Sequence, residues 1–144
     1  YFQLNEIMRR RSKEEIDAIT GYLFYVLCAL RKLPNFTGVV YRGNNSPEIV
    51  KKEYTTGREV FWSGFTSTTT DLKVAKQFAG PAGVIFRIKI NGGKAISSFS
   101  ALGGENEVLL PPNAGLFVSE EMHADPADGR KYVDLVEKAG RFRW

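Results

Sequence analysis

Residues Gly83 to Ile90 constrain the fold more than any other stretch. Val84, Phe86, Ile88 and Ile90 point one way and Ile85, Arg87 and Lys89 the other, which is the two-residue period of a β-strand. A strand with one wholly apolar face needs neighbouring strands beside it and a layer packed on it. Other runs supply the neighbours. Gly38-Val39-Val40-Tyr41-Arg42-Gly43 reads as a strand that ends in a charged residue and a glycine. Arg58 to Trp62 reads as another, and Phe65 to Thr70 as one more beyond the Ser63-Gly64 break. Asn91-Gly92-Gly93 reads as a turn into a short strand from Lys94 to Ser97, and Ser98 to Gly104 as a small-residue loop interrupted by Phe99. Val108 to Leu110 forms a strand that stops at Pro111-Pro112. Gly115 to Ser119 and Lys131 to Val136 are two further strands, with a turn at Asp125 to Gly129.

Helical signals sit mainly before these strands. Ser12 followed by Glu15 is a capping box, and Ile16, Ile19, Leu23, Val26, Leu27 and Leu30 recur at helical spacing until Pro34. Cys28 lies beside this stripe and reads as a small core hydrophobe. Pro47 to Tyr54 is a short helix with proline at its first position. Asp71 caps a helix through Phe78, with Val74 and Phe78 on one face and Gly80-Pro81 ending it. The layout is α+β, and 144 residues fit one domain.

Composition excludes several classes of function. The net charge is +4, and the basic residues are spread among 16 acids, so nucleic acid is not expected as the main partner. With one cysteine and one histidine, no internal disulfide or structural zinc set can form, and no metal is expected. His123, in the acidic turn, reads as a surface residue. No run is long enough for a membrane helix, and no signal peptide is visible. Tyr1-Phe2-Gln3 matches the remnant of a cleavage tag and is given no structural weight.

Three groups carry candidate chemistry. Arg42, at the end of an apolar strand, is held on a rigid element, where its planar fork can grip phosphate oxygens or form a rim ion pair. Ser67-Thr68-Thr69 places hydroxyls where apolar residues would be expected, able to bond ribose or hold a carboxylate, or simply to face solvent. Gly103-Gly104-Glu105-Asn106-Glu107 puts two carboxylates two residues apart at the start of a strand. Both can project into one cleft to stabilise a sugar cation and handle a proton, or they can form a solvated strand edge.

Taken in order, Arg42, Ser67-Thr68-Thr69 and Glu105-x-Glu107 resemble the arginine-serine-glutamate class of mono-ADP-ribosyltransferases, which includes clostridial-type toxins and vertebrate ecto-enzymes. The resemblance runs from about Val39 to Val136. It implies helices packed on two antiparallel sheets that form a split β-sandwich with NAD+ in a central cleft. A helical lobe would span 4–37 and an NAD-binding core 38–144 within a single catalytic domain, 1–144. The implied reaction moves ADP-ribose from NAD+ to an arginine of a target protein and releases nicotinamide; NAD glycohydrolase and an inactive NAD- or protein-binding module are the alternatives.

The implied NAD+ contacts are Tyr41, Arg42, Gly43, Ser67, Thr68, Phe78 and Glu107. Arg42 would bind the phosphates, the Gly43 backbone would hold the nicotinamide amide, and Phe78 would pack on the nicotinamide. Ser67 would hydrogen-bond Glu107, the carboxylate that bonds the ribose and stabilises the oxocarbenium. Glu105 would engage the acceptor and take its proton, with Phe99 helping recognition. Glu105 stands where a Gln marks relatives that modify other acceptors, so the resemblance points to arginine. Three departures stand out. Thr69 replaces the usual Ser, and Pro81 replaces an Arg, for which Lys73, Lys76 or Arg87 would substitute. The helical region before Tyr41 is also short for the family. The expected state is a monomer, without membrane association, and the lack of a cysteine pair leans toward an intracellular or injected enzyme.

Overall fold

The computed structural model describes residues 24–96 and 106–144. Most of the capping-box helix, as well as Phe99 and Glu105, therefore lies outside the described residues. Helix α1 covers 24–31. It is followed by β1 (Asn35–Asn44), α2 (Pro47–Glu53), β2 (Glu59–Trp62) and β3 (Thr66–Thr69). The chain continues through α3 (Leu72–Ala79), β4 (Val84–Ala95), β5 (Glu107–Leu110), β6 (Ala114–Ala124) and β7 (Lys131–Glu137).

The seven strands form one hydrogen-bonded network in the order β1-β3-β5-β4-β7-β6-β2, and β1 also pairs with β4. The strands β1, β3, β5 and β4 thus close a ring, from which β7, β6 and β2 extend. The strand pairs are antiparallel except β4 with β7, which is parallel from Val84↔Lys131 to Lys89↔Val136. This departs from the expectation of wholly antiparallel pairing. The strand alternation explains the core. Val84, Phe86, Ile88 and Ile90 are all buried and pack with Val40, Val50 and Leu116 in the main apolar cluster. At roughly 1.5–3 kcal/mol for each fully buried large apolar side chain, this face is the main source of stability.

The predicted turn at Asn91-Gly92-Gly93 is instead part of β4, which runs unbroken to Ala95. Packing explains the glycine at 93. A Cβ on Gly93 would sit 2.6 Å from both Ile90 Cδ1 and Val108 Cγ1, so the residue is small because side chains close over it. On the other side of β1 and β4, α3 packs through Ala75 and Ala79 onto Ile85 and Tyr132, with Tyr41 and Leu72 at its margin. Its apolar face is therefore Ala75/Ala79, while Phe78 is 58% exposed. Helix α1 lies over Phe65, Ile96 and Leu109 through Val26, Leu27 and Leu30.

Gly43 shows how tightly α3 is set on β1. A Cβ there would fall 2.2 Å from the Ala75 carbonyl oxygen and 2.5 Å from the Ala79 nitrogen, both backbone atoms. The resemblance gives Gly43 a backbone contact to nicotinamide; its lack of a side chain is explained by the helix that fills that side. Gly43→Ala should lower the unfolding free energy by about 1–3 kcal/mol, as overpacking does. Urea unfolding of the two chains tests this, and equal midpoints would contradict it.

Candidate active site

The site is built around β3. Its four residues, Thr66–Thr69, are antiparallel to β5, with Ser67 opposite Leu109 and Thr69 opposite Glu107. On the other edge Thr69 also pairs with Tyr41 of β1. A single backbone row therefore links Tyr41, Thr69 and Glu107. Glu107 is 2% exposed, a carboxylate taken almost wholly out of water at the start of β5. The Arg42 side chain reaches β3 as well, where its Nη1 donates to the Ser67 carbonyl at 2.8 Å. One short strand thus ties down both the cation and the acid.

The three hydroxyls of the Ser-Thr-Thr run have separate fates. Successive strand residues face opposite ways, so Ser67 and Thr69 share a face with Glu107 and Thr68 does not. Thr68 is 1% exposed, and its hydroxyl donates to the Val108 carbonyl at 2.6 Å. It sits behind the ladder rather than on the face of the acid. The Thr69 hydroxyl accepts from the Asp71 N–H at 3.0 Å, while the Asp71 side chain caps α3 by accepting from Lys73 N–H at 3.0 Å. Replacing the family's usual Ser by Thr therefore keeps the oxygen in use. Ser67 Oγ is buried and has no hydrogen-bond partner. The expected bond from Ser67 to Glu107 is not made, because the register places the two residues diagonally rather than opposite each other.

Helix α3 brings Phe78 beside Gly43, and the backbone carbon of Phe78 lies 3.0 Å from where a Gly43 Cβ would stand. The Tyr41 ring packs with Ala75, Ala79 and Ile85 under that helix. An ionic network anchors the far end of α3. Lys76 Nζ pairs with Asp128 Oδ2 at 3.0 Å, and the Arg130 guanidinium donates to the Gly80 carbonyl. Arg87 pairs with Asp134 and, at 3.1 Å, with Asp125. Lys76 and Arg87 are therefore paired with acids here. His123 is on β6, opposite Tyr132, rather than in the turn, and lies near Glu120 and Asp134.

Beside Arg42 opens a cleft of about 350 Å³. Of the residues singled out from sequence, only Arg42 lines it; Glu107, Ser67 and Phe78 do not. Its other walls include Asn44, Tyr54, Trp62 and Phe86, which sequence reading missed. Trp62 directly before the Ser63-Gly64 break was the available signal. Among the described residues no Asp or Glu lines the cleft, so it suits a ligand with aromatic and anionic parts.

The chain belongs to the NAD:arginine ADP-ribosyltransferase family, whose model matches residues 1–140. It is 36% identical over 110 residues to Mav of Mycobacterium avium, which carries the name of an NAD(+)–arginine ADP-ribosyltransferase; this covers 76% of the chain and 13% of Mav. It is 35% identical over 108 residues to the similarly named Vis of Vibrio splendidus, covering 69% of the chain and 43% of Vis. The match thus spans less than half of either relative.

The crystal structure of Vis with the M6 inhibitor superposes with a TM-score of 0.74 at 28% identity, covering all of this chain and 70% of that one. Vis, described as a toxin, has also been crystallised with agmatine, and that structure gives a TM-score of 0.71 at 28% identity, covering 96% and 69%. HopU1 of Pseudomonas syringae shares the fold, with a TM-score of 0.74 at 24% identity, covering 96% and 65%. Among the described residues no helix is long and apolar enough to cross a membrane.

The α3 anchor has a pH signature. The Tyr132 hydroxyl and then the Arg130 N–H bond Asp128 and hold its carboxyl well below the usual range, with help from Lys76. A carboxyl lowered on folding contributes stability that is complete above its unfolded value and fades as pH falls toward the folded one. Tyr132 is pushed up to about 12, by burial first and by Asp128 next, so its contribution fades as pH rises past the unfolded tyrosine value. Asp128→Asn should therefore flatten the loss of stability on acidification below about pH 4. Thermal melts across pH test this, and parallel curves for the two chains would refute it.

Proposed function

We propose that this domain transfers ADP-ribose from NAD+ to arginine side chains of a target protein, releasing nicotinamide. The observation that carries the reading is the β3 arrangement, in which Arg42 and the buried Glu107 are held on either edge of one strand. Family membership, the relatives' names and the agmatine complex of Vis support it. In this reading Arg42 binds the diphosphate, the Gly43 backbone receives the nicotinamide amide, and Phe78 offers its exposed ring to the nicotinamide. Tyr41 holds α3 against that edge. Glu107 stabilises positive charge developing at the ribose carbon, which a carboxylate does best where water is excluded. Ser67, diagonal to it and with an uncommitted hydroxyl, orients Glu107 once substrate completes the site, and Thr68 fixes the ladder behind it.

Glu105 and Phe99 take the acceptor side. Glu105 pairs with the incoming guanidinium and accepts its proton. The ring of β1, β3, β5 and β4, with β7, β6 and β2 beyond it, makes the two halves of a split β-sandwich around the NAD+ cleft. The domain acts as a monomer, in the manner of a secreted or injected effector. It needs no metal.

Nicotinamide release from NAD+, measured with and without agmatine, tests the assignment. ADP-ribose should end up attached to agmatine, whereas free ADP-ribose in both cases would make the domain a glycohydrolase. Glu107→Gln should lower both transfer and hydrolysis by about 100-fold or more, the scale of losing a main electrostatic stabiliser. Glu105→Gln should spare NAD+ hydrolysis and lose agmatine modification. Equal loss of both activities in Glu105→Gln would sink the division of roles.

A further inference from the structure

The wall of the Arg42 cleft contains a polar pair outside the family motif. Tyr54, the residue that closes α2, and Trp62, the last of β2, both lean on Phe86, with ring centroids 4.9 and 5.5 Å away. Phe86 is the register partner of Arg42 across β1 and β4, so the pair stands next to the arginine. Trp62 Nε1 donates to the Tyr54 hydroxyl at 2.9 Å. An indole N–H can only donate, so the phenol oxygen must be the acceptor, and its own proton is directed elsewhere. No described residue accepts that proton.

Two further facts make this hydroxyl a dependable donor. Burial raises the Tyr54 pKa, and the opposing charge of Arg42 does not reverse that, so the phenol keeps its proton at neutral pH. Asn44, also in the lining, has its Oδ1 occupied by the Ser46 N–H at 2.7 Å, which leaves its amide N–H groups as donors. Arg42, Tyr54 and Asn44 thus bring donors to a cleft with aromatic walls and, among the described residues, no carboxylate in its lining. A phosphate oxygen only accepts hydrogen bonds, and it gains most where the surroundings are apolar.

We propose that Tyr54 is a further substrate-binding residue, its hydroxyl aligned by Trp62 to donate, beside Arg42, to the diphosphate of NAD+. This rests on the transferase reading above and adds a contact to it.

Titration calorimetry of the full chain with ADP-ribose, and with adenosine as a phosphate-free control, tests the assignment. Tyr54→Phe should bind ADP-ribose about tenfold more weakly, the loss of one hydrogen bond to a charged group, and bind adenosine as the unaltered chain does. The KM for NAD+ should rise by a similar factor with kcat held within about twofold, the mark of lost ground-state binding. Trp62→Phe keeps the phenol but removes its alignment, and should weaken ADP-ribose binding several-fold. ADP-ribose binding by Tyr54→Phe as tight as by the unaltered chain would overturn the role of Tyr54 alone. Equal weakening toward adenosine would overturn it too, by reducing the residue to wall packing. Failure of the unaltered chain to bind ADP-ribose would instead strike the nucleotide reading of the cleft.

Discussion

Strand β3 is only four residues long, yet β1, β5 and the start of α3 all take their positions from it. A strand this short gains little from its own ladder bonds, so its side chains must supply the rest. Thr68 does so by bonding the Val108 carbonyl from a fully buried position, and Thr69 by bonding the backbone N–H of Asp71. These hydroxyls take the place of apolar side chains, because each satisfies a backbone group that would otherwise be buried at a cost. Only the hydroxyl of Ser67 is left over. A buried unpartnered hydroxyl is a cost to the folded state, and such costs are tolerated where binding or catalysis uses the group.

Charge is divided between the two sides of β1 and β4. On the α3 side, Lys76, Arg87 and Arg130 are engaged by Asp128, Asp125, Asp134 and the Gly80 carbonyl, a network that fixes the helix and has little left to offer a ligand. On the Arg42 side no carboxylate among the described residues lines the cleft. This separation leaves the basic residues nearest in sequence to Pro81 paired with acids on the scaffold, while Arg42 and neutral side chains supply the donors of the cleft. A modest net charge of +4 is enough under these conditions, because the local arrangement of charge, rather than its total, sets the potential a polyphosphate meets.

Much of this was legible in the chain. The alternation from Val84 to Ile90 reports burial directly, Asp71 caps α3 as its type and place suggest, and α2 starts at Pro47. Part of what failed did so because glycine is ambiguous. At 93 it looked like a turn and at 43 like a ligand approach, but in both places it is small because other atoms close over it. Side-chain direction was the other blind spot. Ser67, Thr68 and Thr69 look equivalent as a run of hydroxyls, and only the register with β5 separates the two on Glu107's side from the one locked behind it. Tyr54 and Trp62 were invisible as a pair because the bond joining them depends on α2 and β2 both resting on Phe86.

The same register argument shows why a buried lysine is worth its desolvation. Lys94 is 4% exposed, and its ammonium donates to the Leu33 carbonyl at 2.6 Å and to Asn35 Oδ1 at 2.7 Å. Burial lowers its pKa, which measures the cost of placing a cation there. Lys94 pairs with Asn35 of β1 on one edge and with Leu109 of β5 on the other, and two residues later Ile96 N–H donates to the Glu107 carbonyl at 3.2 Å. A slip of one residue between β4 and β5 would turn Glu107 to the opposite face and end its use. Apolar packing alone tolerates such slips, since Val108, Leu109 and Leu110 are all buried and nearly interchangeable. The Lys94 ammonium has its acceptors at Leu33 and Asn35, so it pins β4 to β1, and the β4–β5 register rests on the ladder bonds beside Glu107.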